Sequence, residues 1–206
     1  MSIFEAVLFD FDGVLADTEP IHCACWAEVL APCGVVLEWE FFRRHFIGIA
    51  DRDMVEMLAA EAHPPRSWED LWTRYPAKRE LFRRRTLAAP PFEAGLAPFL
   101  ERLHREYRMA VVSSSSSSEI EPVLAAGGIR QHFDTVVGRE STPDRLKPAP
   151  DPYLLAAERL GVRSALVVED SEVGLASGRA AGFEVLEIKE VAGMPDSVLR
   201  RLCQAR

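Results

Sequence analysis

Residues 10–15 read Asp-Phe-Asp-Gly-Val-Leu and directly follow the apolar run Ala-Val-Leu-Phe at residues 6–9. A short apolar run is typical of a buried strand, and in open α/β sheets ligands bind just beyond the carboxyl ends of the strands. Asp10 and Asp12 are two residues apart, so their carboxylates repel each other unless a cation compensates them. Gly13 permits a sharp exit of the backbone. The stretch therefore indicates a cation-dependent site, with an ordinary turn carrying two aspartates as the alternative.

Five apolar runs without polar alternation predict strands that are buried on both faces, as in a parallel sheet covered by helices. Helix-like segments separate the last four runs, at residues 119–126, 152–160 and 174–181. This rhythm predicts an α/β fold, a doubly wound parallel five-stranded sheet with right-handed crossovers. The predicted strands are Ala6–Phe9, Met109–Val112, Thr135–Val137, Ala165–Val168 and Val185–Ile188.

The segment between the first two predicted strands is longer than a direct crossover needs. Its apolar residues follow helical spacing, as Trp26, Val29 and Leu30 do, and strand signals are few. Pro90 and Pro91 mark the return to the sheet. We therefore predict an α/β core domain of residues 1–16 and 89–206, with a helical cap domain of residues 17–88 inserted into it.

A second acidic pair follows the fourth predicted strand, where Glu169 and Asp170 precede Ser171. Four acidic side chains at one edge of a sheet would repel one another strongly without a divalent ion. Carboxylate oxygens with room for water and phosphate suit Mg²⁺. The alternative is a helix N-cap formed by Asp170 or Ser171, which explains one acid and leaves Glu169 unexplained.

A run of six serines, residues 113–118, follows the second predicted strand. Poly-serine is usually a flexible linker, but here it lies between a strand and a helix. A hydroxyl and free amides at a helix N-terminus form an anion site. Ser113 is the leading phosphate-binding candidate and Ser114 a second, whereas Ser118 and Glu121 fit a capping box.

Lys147 precedes a proline-rich turn, Pro148 to Pro150, that leads into a predicted helix. A lysine at this place would neutralise phosphate charge and keep the carboxylate of a nucleophile ionised. A solvated surface lysine is the alternative.

These four elements, in this order and at strand ends, resemble the haloacid dehalogenase superfamily. The matching motifs are Asp-x-Asp-Gly-Val after the first strand, Ser after the second, Lys-Pro-x-Pro-Asp, and Glu-Asp-Ser before Gly174. Residues such as Asp17, His22 and Trp26 resemble its β-phosphoglucomutase-like branch, which places a helical cap on a Rossmann-like core. The resemblance spans the whole chain.

The resemblance implies that Asp10 attacks phosphorus and becomes an aspartyl-phosphate, and that Asp12 acts as general acid and then as general base. It implies a Mg²⁺ site formed by Asp10, the backbone oxygen of Asp12, Glu169 and Asp170. Ser113, Ser114 and Lys147 would bind the phosphoryl group. The implied activity is Mg²⁺-dependent hydrolysis of a small phosphorylated metabolite, with a sugar phosphate as one candidate.

The resemblance also implies that the cap closes over the substrate, with contacts from His22, Gly48 and Lys78. Each has a structural alternative: packing within a helix, a helix end, or a solvated lysine. The mutase pattern has a basic residue just before the cap glycine and an arginine three positions after it, whereas this chain has Ile47 and Asp51. This departure favours hydrolysis over mutase chemistry, which stays the alternative. A non-catalytic protein that binds a phosphorylated metabolite is a third hypothesis.

The formal net charge of −8 argues against non-specific binding of nucleic acid, which is driven by basic surfaces. Arg83, Arg84 and Arg85 are consecutive, and we interpret them as a solvated helix face. No apolar run reaches the length of a membrane span, and the N-terminal residues do not resemble a secretion signal. The four cysteines lack a Cys-x-x-Cys pair. The sequence thus predicts a cytoplasmic protein, a monomer by default, whose partner is a small-molecule phosphate ester.

Overall fold

The computed structural model describes residues 3–47, 49–62, 64 and 66–205 of the 206-residue chain. Two compact units make up the fold. The core unit consists of the residues up to Asp17 together with those from Pro90 onward, and the helical unit is Thr18–Ala89. The helical unit therefore begins and ends one residue later in the chain than the predicted cap domain of residues 17–88. The two units are described separately below.

A five-stranded sheet forms the centre of the core unit, and all four of its strand pairings are parallel. The strands are β1 Ala6–Phe9, β2 Arg108–Val112, β3 Thr135–Val137, β4 Ala165–Glu169 and β5 Glu184–Glu187. The strand order is β3-β2-β1-β4-β5, so β1 is central, between β2 and β4. The strands β1, β2 and β4 are almost entirely buried, as their apolar runs predicted. The predicted fold class is therefore confirmed.

Amphipathic helices flank this sheet. In the helix Leu96–His104 the buried residues are Leu96, Phe99, Leu100 and Leu103, which recur at the i, i+3, i+4 and i+7 spacing of one helical face. The helices of the helical unit are α1 Glu19–Leu30, α2 Trp39–His45, α3 Asp51–Glu61, α4 Trp68–Trp72 and α5 Tyr75–Ala88. Those of the core unit are α6 Leu96–His104, α7 Ser117–Ala126, α8 Asp151–Leu160, α9 Glu172–Ala180 and α10 Met194–Gln204.

The helical unit has a hydrophobic core of its own. The fully buried Trp26 lies at its centre, and the rings of Trp72 and Tyr75 pack against Trp26 at centroid distances of 6.4 and 6.2 Å. Other buried members come from four of its segments: Leu30, Phe42, Phe46, Met54, Val55, Leu58 and Leu71. The helical spacing seen in the sequence therefore corresponds to one packed cluster.

The start of α7 differs from the prediction. The capping box joins Ser116 to Glu119, because the Ser116 hydroxyl caps the first turn and the Glu119 carboxylate accepts from the Ser116 backbone N–H. The predicted pair, Ser118 and Glu121, was wrong. Six identical side chains carry no signal for the register of the helix start, and α7 begins two residues earlier than the apolar pattern indicated.

Among the described residues, no helix combines the length and the apolar character that crossing a bilayer requires.

Candidate active site

The candidate site lies where three parallel strands end side by side. Phe9 of β1 pairs with Val111 of β2 and with Val168 of β4. Asp10 and Glu169 come next after Phe9 and Val168, and Ser113 comes two positions after Val111, so all three reach the same edge of the sheet. The Asp10 N–H donates to the Val168 carbonyl at 3.0 Å, which extends the ladder by one residue. The sheet topology thus brings Asp10 close to residues that are more than a hundred positions away in sequence.

The turn after Asp10 needs glycine for two reasons. Gly13 has φ = +74°, a conformation that side chains with a Cβ rarely adopt. A Cβ built on Gly13 would also lie 2.0 Å from an oxygen of Asp170. The backbone of the β1 turn and the Asp170 carboxylate are therefore packed so closely that no side chain fits between them.

We expect Gly13→Ala to lower turnover by about ten-fold or more, because its methyl group must push Asp170 away from Asp10. Gly161→Ala is a matched control, since Gly161 has φ = +69° and open space around its Cβ position. Both variants should lose about 1 kcal/mol of stability, because alanine is strained at a positive φ. Gly161→Ala alone should keep full activity. Steady-state kinetics and thermal melting of both variants test this. Equal activities of the two variants would contradict it.

Lys147 brings a positive charge to the site, with a side chain only 3% exposed. Its ammonium group donates to Asp10 Oδ1 at 2.9 Å, to the Val112 carbonyl at 2.9 Å and to Glu169 Oε1 at 2.5 Å. Burial alone would lower the pKa of Lys147, but the Asp10 and Glu169 carboxylates raise it above its usual value. All three donors of the ammonium are used, so this buried charge is fully compensated.

Glu169 is fully buried and accepts hydrogen bonds on both carboxylate oxygens. Lys147 and the hydroxyl of Tyr153 donate to Oε1, the latter at 2.8 Å. The N–H groups of Asp170 and Ser171, and the Ser171 hydroxyl, donate to Oε2 at 3.0–3.3 Å. A Cβ at Gly174 would lie 1.8 Å from Glu169 Oε1, so the carboxylate also fits closely against α9. These contacts hold Glu169 in one orientation.

Ser171 is the N-cap of α9, and its hydroxyl accepts from the Gly174 N–H at 3.2 Å. Of the two N-cap candidates that the sequence offered, Asp170 and Ser171, only Ser171 caps the helix. Asp170 is exposed and is not the N-cap.

Three carboxylates converge at this edge. One oxygen each from Asp10, Glu169 and Asp170 lie within 4.8 Å of one another. Burial raises the pKa of Asp10 well above its usual value, Lys147 opposes that shift, and the neighbouring carboxylates of Glu169 and Asp12 add to it. Burial and then Glu169 raise the pKa of Asp170 to about 6. A divalent cation bound among these crowded carboxylates would lower their pKa values.

The donor set fits a hard divalent ion. Its atoms are all carboxylate oxygens, the ligand type that Mg²⁺ and Ca²⁺ prefer, and the set includes neither nitrogen nor sulfur. The close fit of Asp170 against Gly13 fixes one of these ligands in place.

The first three serines of the 113–118 run have different surroundings. Ser113 is buried, its N–H donates to the Val137 carbonyl at 3.0 Å, and its hydroxyl oxygen accepts from the Ser115 N–H at 3.0 Å. Ser114 is exposed. The Ser115 hydroxyl donates to Asp12 Oδ2 at 3.1 Å. The run therefore reaches the site, and Ser115 contacts a carboxylate that sequence reasoning did not pair with it.

Two of the predicted cap residues meet within the helical unit. The Lys78 ammonium lies 2.8 Å from His22 Nδ1 and donates to Asp51 Oδ2, also at 2.8 Å. The indole N–H of Trp26 donates to Asp51 Oδ1 at 2.6 Å. His22 stacks on Phe82 at 4.1 Å between ring centroids. Gly48, the third predicted cap residue, lies outside the described residues.

Asp51 is the anchor of this cluster, and we expect Asp51→Ala to destabilise the helical unit by about 1–3 kcal/mol, since it leaves buried donors without an acceptor. Burial alone would raise the pKa of Asp51, but Lys78 and Trp26 lower it below its usual value. The stabilisation from Asp51 is therefore fully present above about pH 4, the pKa of an aspartate in the unfolded chain. It is lost as the pH falls through the lower pKa that Asp51 has in the folded protein.

All four tryptophans lie in the helical unit, so tryptophan fluorescence during denaturation reports on it directly. Asp53→Ala, an exposed acid of the same helix, is the control and should cost about 0.5 kcal/mol. A denaturation midpoint of Asp51→Ala equal to that of Asp53→Ala would contradict the expectation.

Comparison with known proteins places the chain. The family model of haloacid dehalogenase-like hydrolases matches residues 7–188. The chain belongs to this family. It is 31% identical over 189 residues to fructose-1-phosphate phosphatase YqaB of Escherichia coli. The aligned region covers 90% of this chain and 97% of that protein.

Two further relatives agree. A phosphorylated carbohydrates phosphatase of Thermotoga maritima is 28% identical, covering 87% of this chain and 82% of that protein. The crystal structure of CbbY from Rhodobacter sphaeroides in complex with phosphate is 28% identical, with a TM-score of 0.68, covering 89% of this chain and 85% of that one. The predicted family and the enzyme class, a phosphoric monoester hydrolase, are therefore confirmed.

Proposed function

We propose that this protein is a Mg²⁺-dependent phosphatase that hydrolyses a small sugar phosphate through an aspartyl-phosphate on Asp10. The observation that carries the proposal is the contact of Asp10 with Lys147 at 2.9 Å, at an edge that Asp170 and Glu169 share. Burial raises the pKa of Asp10, and the buried ammonium opposes that rise and fixes the direction of the carboxylate that is to attack phosphorus. The same ammonium lies where it can neutralise charge on a phosphoryl group.

Asp12 is proposed as the general acid and base. It lies in the turn after β1, two residues after Asp10, is only partly buried, and accepts from the Ser115 hydroxyl at 3.1 Å. In the first step Asp10 Oδ displaces the leaving oxygen from phosphorus, and Asp12 gives that oxygen its proton. In the second step Asp12 takes a proton from water as the water displaces Asp10 from phosphorus. Two displacements replace one, and Asp10 is regenerated.

The remaining side chains bind and position. Ser113, Ser114 and Lys147 are proposed to contact the phosphoryl oxygens. Asp10, Glu169 and Asp170, with the backbone oxygen of Asp12, are proposed to hold Mg²⁺. When bound, the ion would neutralise the crowded carboxylates and the charge of the phosphate. The assignment of His22, Gly48 and Lys78 to substrate contacts stays a prediction, as does the monomeric state.

A sugar phosphate is the substrate class that the relatives support, since one acts on fructose 1-phosphate and another on phosphorylated carbohydrates by their names. A panel of sugar phosphates, phosphoglycolate and 4-nitrophenyl phosphate, assayed for inorganic phosphate, tests the proposal. We expect release with Mg²⁺, loss of release with EDTA, and recovery when Mg²⁺ is restored in excess. Turnover that persists in EDTA would contradict metal dependence.

Mutase chemistry makes a different prediction for the same panel. A mutase converts β-glucose 1-phosphate into glucose 6-phosphate without net release of phosphate, which a coupled dehydrogenase assay detects. We expect phosphate release and no interconversion. Ligand binding without turnover across the panel would favour a non-catalytic role instead.

A further inference from the structure

The backbone of Ser115 is held by hydrogen bonds on two sides. Its N–H donates to the Ser113 hydroxyl oxygen at 3.0 Å, and its carbonyl accepts from the Arg139 N–H at 3.1 Å. Its hydroxyl then donates to Asp12 Oδ2 at 3.1 Å. The residue therefore bridges the end of β2, the segment after β3 and the turn after β1.

The neighbouring serines have other partners. The Ser116 hydroxyl caps α7 and accepts from the Ser118 N–H at 3.3 Å, and the Ser118 hydroxyl lies 2.8 Å from that of Ser116. The Ser117 N–H donates to the Glu140 carboxylate at 3.1 Å. Ser116 to Ser118 thus build the helix start, whereas Ser115 directs its side chain to the site.

The path of the chain at Ser115 is tightly constrained. A Cβ at Gly138 would lie 2.3 Å from the Ser117 backbone nitrogen, so the segment after β3 packs directly against the serine run. The Arg139 N–H that donates to Ser115 comes from this same segment. A flexible linker would not have these contacts, so the Ser115 hydroxyl is fixed with respect to Asp12.

A hydroxyl suits a carboxyl group that changes its protonation state. It can donate to Oδ2 in both states, because Oδ2 is a carboxylate oxygen in the ionised form and the carbonyl oxygen of the acid when the proton is on Oδ1. The transferable proton is then on the oxygen that does not contact Ser115, from which it can pass to the leaving group. Proton transfer needs such directional control, since small displacements of a reacting group reduce rates strongly.

We propose that Ser115 is a positioning residue that orients Asp12 for proton transfer. The proposal rests on the proposed function, in which Asp12 is the general acid and base. Ser115 acts through Asp12 and has no bond to phosphorus to make or break. Its effect should therefore depend on how much protonation the leaving group needs.

Two aryl phosphates measure this dependence. Phenolate is a basic leaving group that needs a proton, whereas 4-nitrophenolate leaves readily without one. We expect Ser115→Ala to lower kcat/KM about ten-fold for phenyl phosphate and less than about three-fold for 4-nitrophenyl phosphate. Ser115→Thr, which keeps the hydroxyl, should restore the phenyl phosphate value. Ser118→Ala, from the exposed part of the same run, should change neither value.

A double-variant cycle tests the route of action. In an Asp12→Asn background, Ser115→Ala should cause no further loss with phenyl phosphate, because the group it positions is gone. Ser115→Cys, of similar size and a weak donor, gives a second comparison if the alanine variant folds poorly. Equal losses for both substrates, or further loss in the Asp12→Asn background, would overturn the inference alone. If the Asp10→Asn enzyme turns over at the wild-type rate, the proposed function and this inference are both overturned.

Discussion

Asp10→Asn is expected to reduce phosphate release at least about a thousand-fold, because the amide is a poor nucleophile toward phosphorus. The fold should survive, since asparagine has the same shape and Lys147 keeps its bonds to Glu169 and to the Val112 carbonyl. Burial of the Asp10 carboxylate raises its pKa, so removal of its charge relieves an unfavourable burial. Phosphate assays and thermal melting in the absence of metal check both parts.

Asp196→Asn is the matched control for this variant. Asp196 is an exposed acid in the first turn of α10 and has no place in the proposed chemistry. Its substitution should leave turnover unchanged. An Asp10→Asn enzyme that retains a tenth of wild-type turnover would show that another group attacks phosphorus.

Lys147→Met is expected to impair both stability and activity. It leaves Asp10 and Glu169 buried without the ammonium that joins them, and the loss of one partner from such a buried group costs about 3–5 kcal/mol. Turnover should fall about 10²- to 10³-fold, the range for removal of one preorganised donor at a developing charge. Circular dichroism melting and steady-state kinetics measure the two effects.

Lys189→Met is the control, because Lys189 is exposed and its substitution should change stability by no more than about 0.5 kcal/mol. A double variant, Lys147→Met with Glu169→Gln, removes one of the stranded charges. It should be more stable than the sum of the single effects predicts, by about 0.5–3 kcal/mol. Simple additivity, or a Lys147→Met protein as stable as the control, would contradict the buried network.

The sheet and its acidic edge could be predicted because the information is local. Each buried strand is a short apolar run, and parallel strands place their carboxyl ends at one edge, so Asp10 and Asp170 had to come close if the sheet formed. The local pattern around Lys147 left a solvated surface lysine open, and the family resemblance assigned it to the site. In the structure its side chain is buried against Asp10 and Glu169.

The supporting contacts could not be predicted in the same way. Tyr153 looks like an ordinary apolar-face residue of α8, and only the packing of α8 on the sheet brings its hydroxyl to Glu169. Asp51 and Trp26 are 25 positions apart and meet through the packing of two helices. These pairs depend on side-chain direction and interhelical geometry, for which the hydrophobic pattern has no signal.

The measurement that tests the central claim most directly is to locate the phosphoryl group on the enzyme. Asp12→Asn protein is mixed with 4-nitrophenyl phosphate and Mg²⁺, quenched in acid, digested and analysed by mass spectrometry. The good leaving group allows the first displacement, and loss of the general base slows hydrolysis of the intermediate. The account predicts one phosphoryl group on the peptide that carries Asp10, bound as an acyl phosphate. A phosphoryl group on Ser113, or none while the wild type turns over, would contradict it.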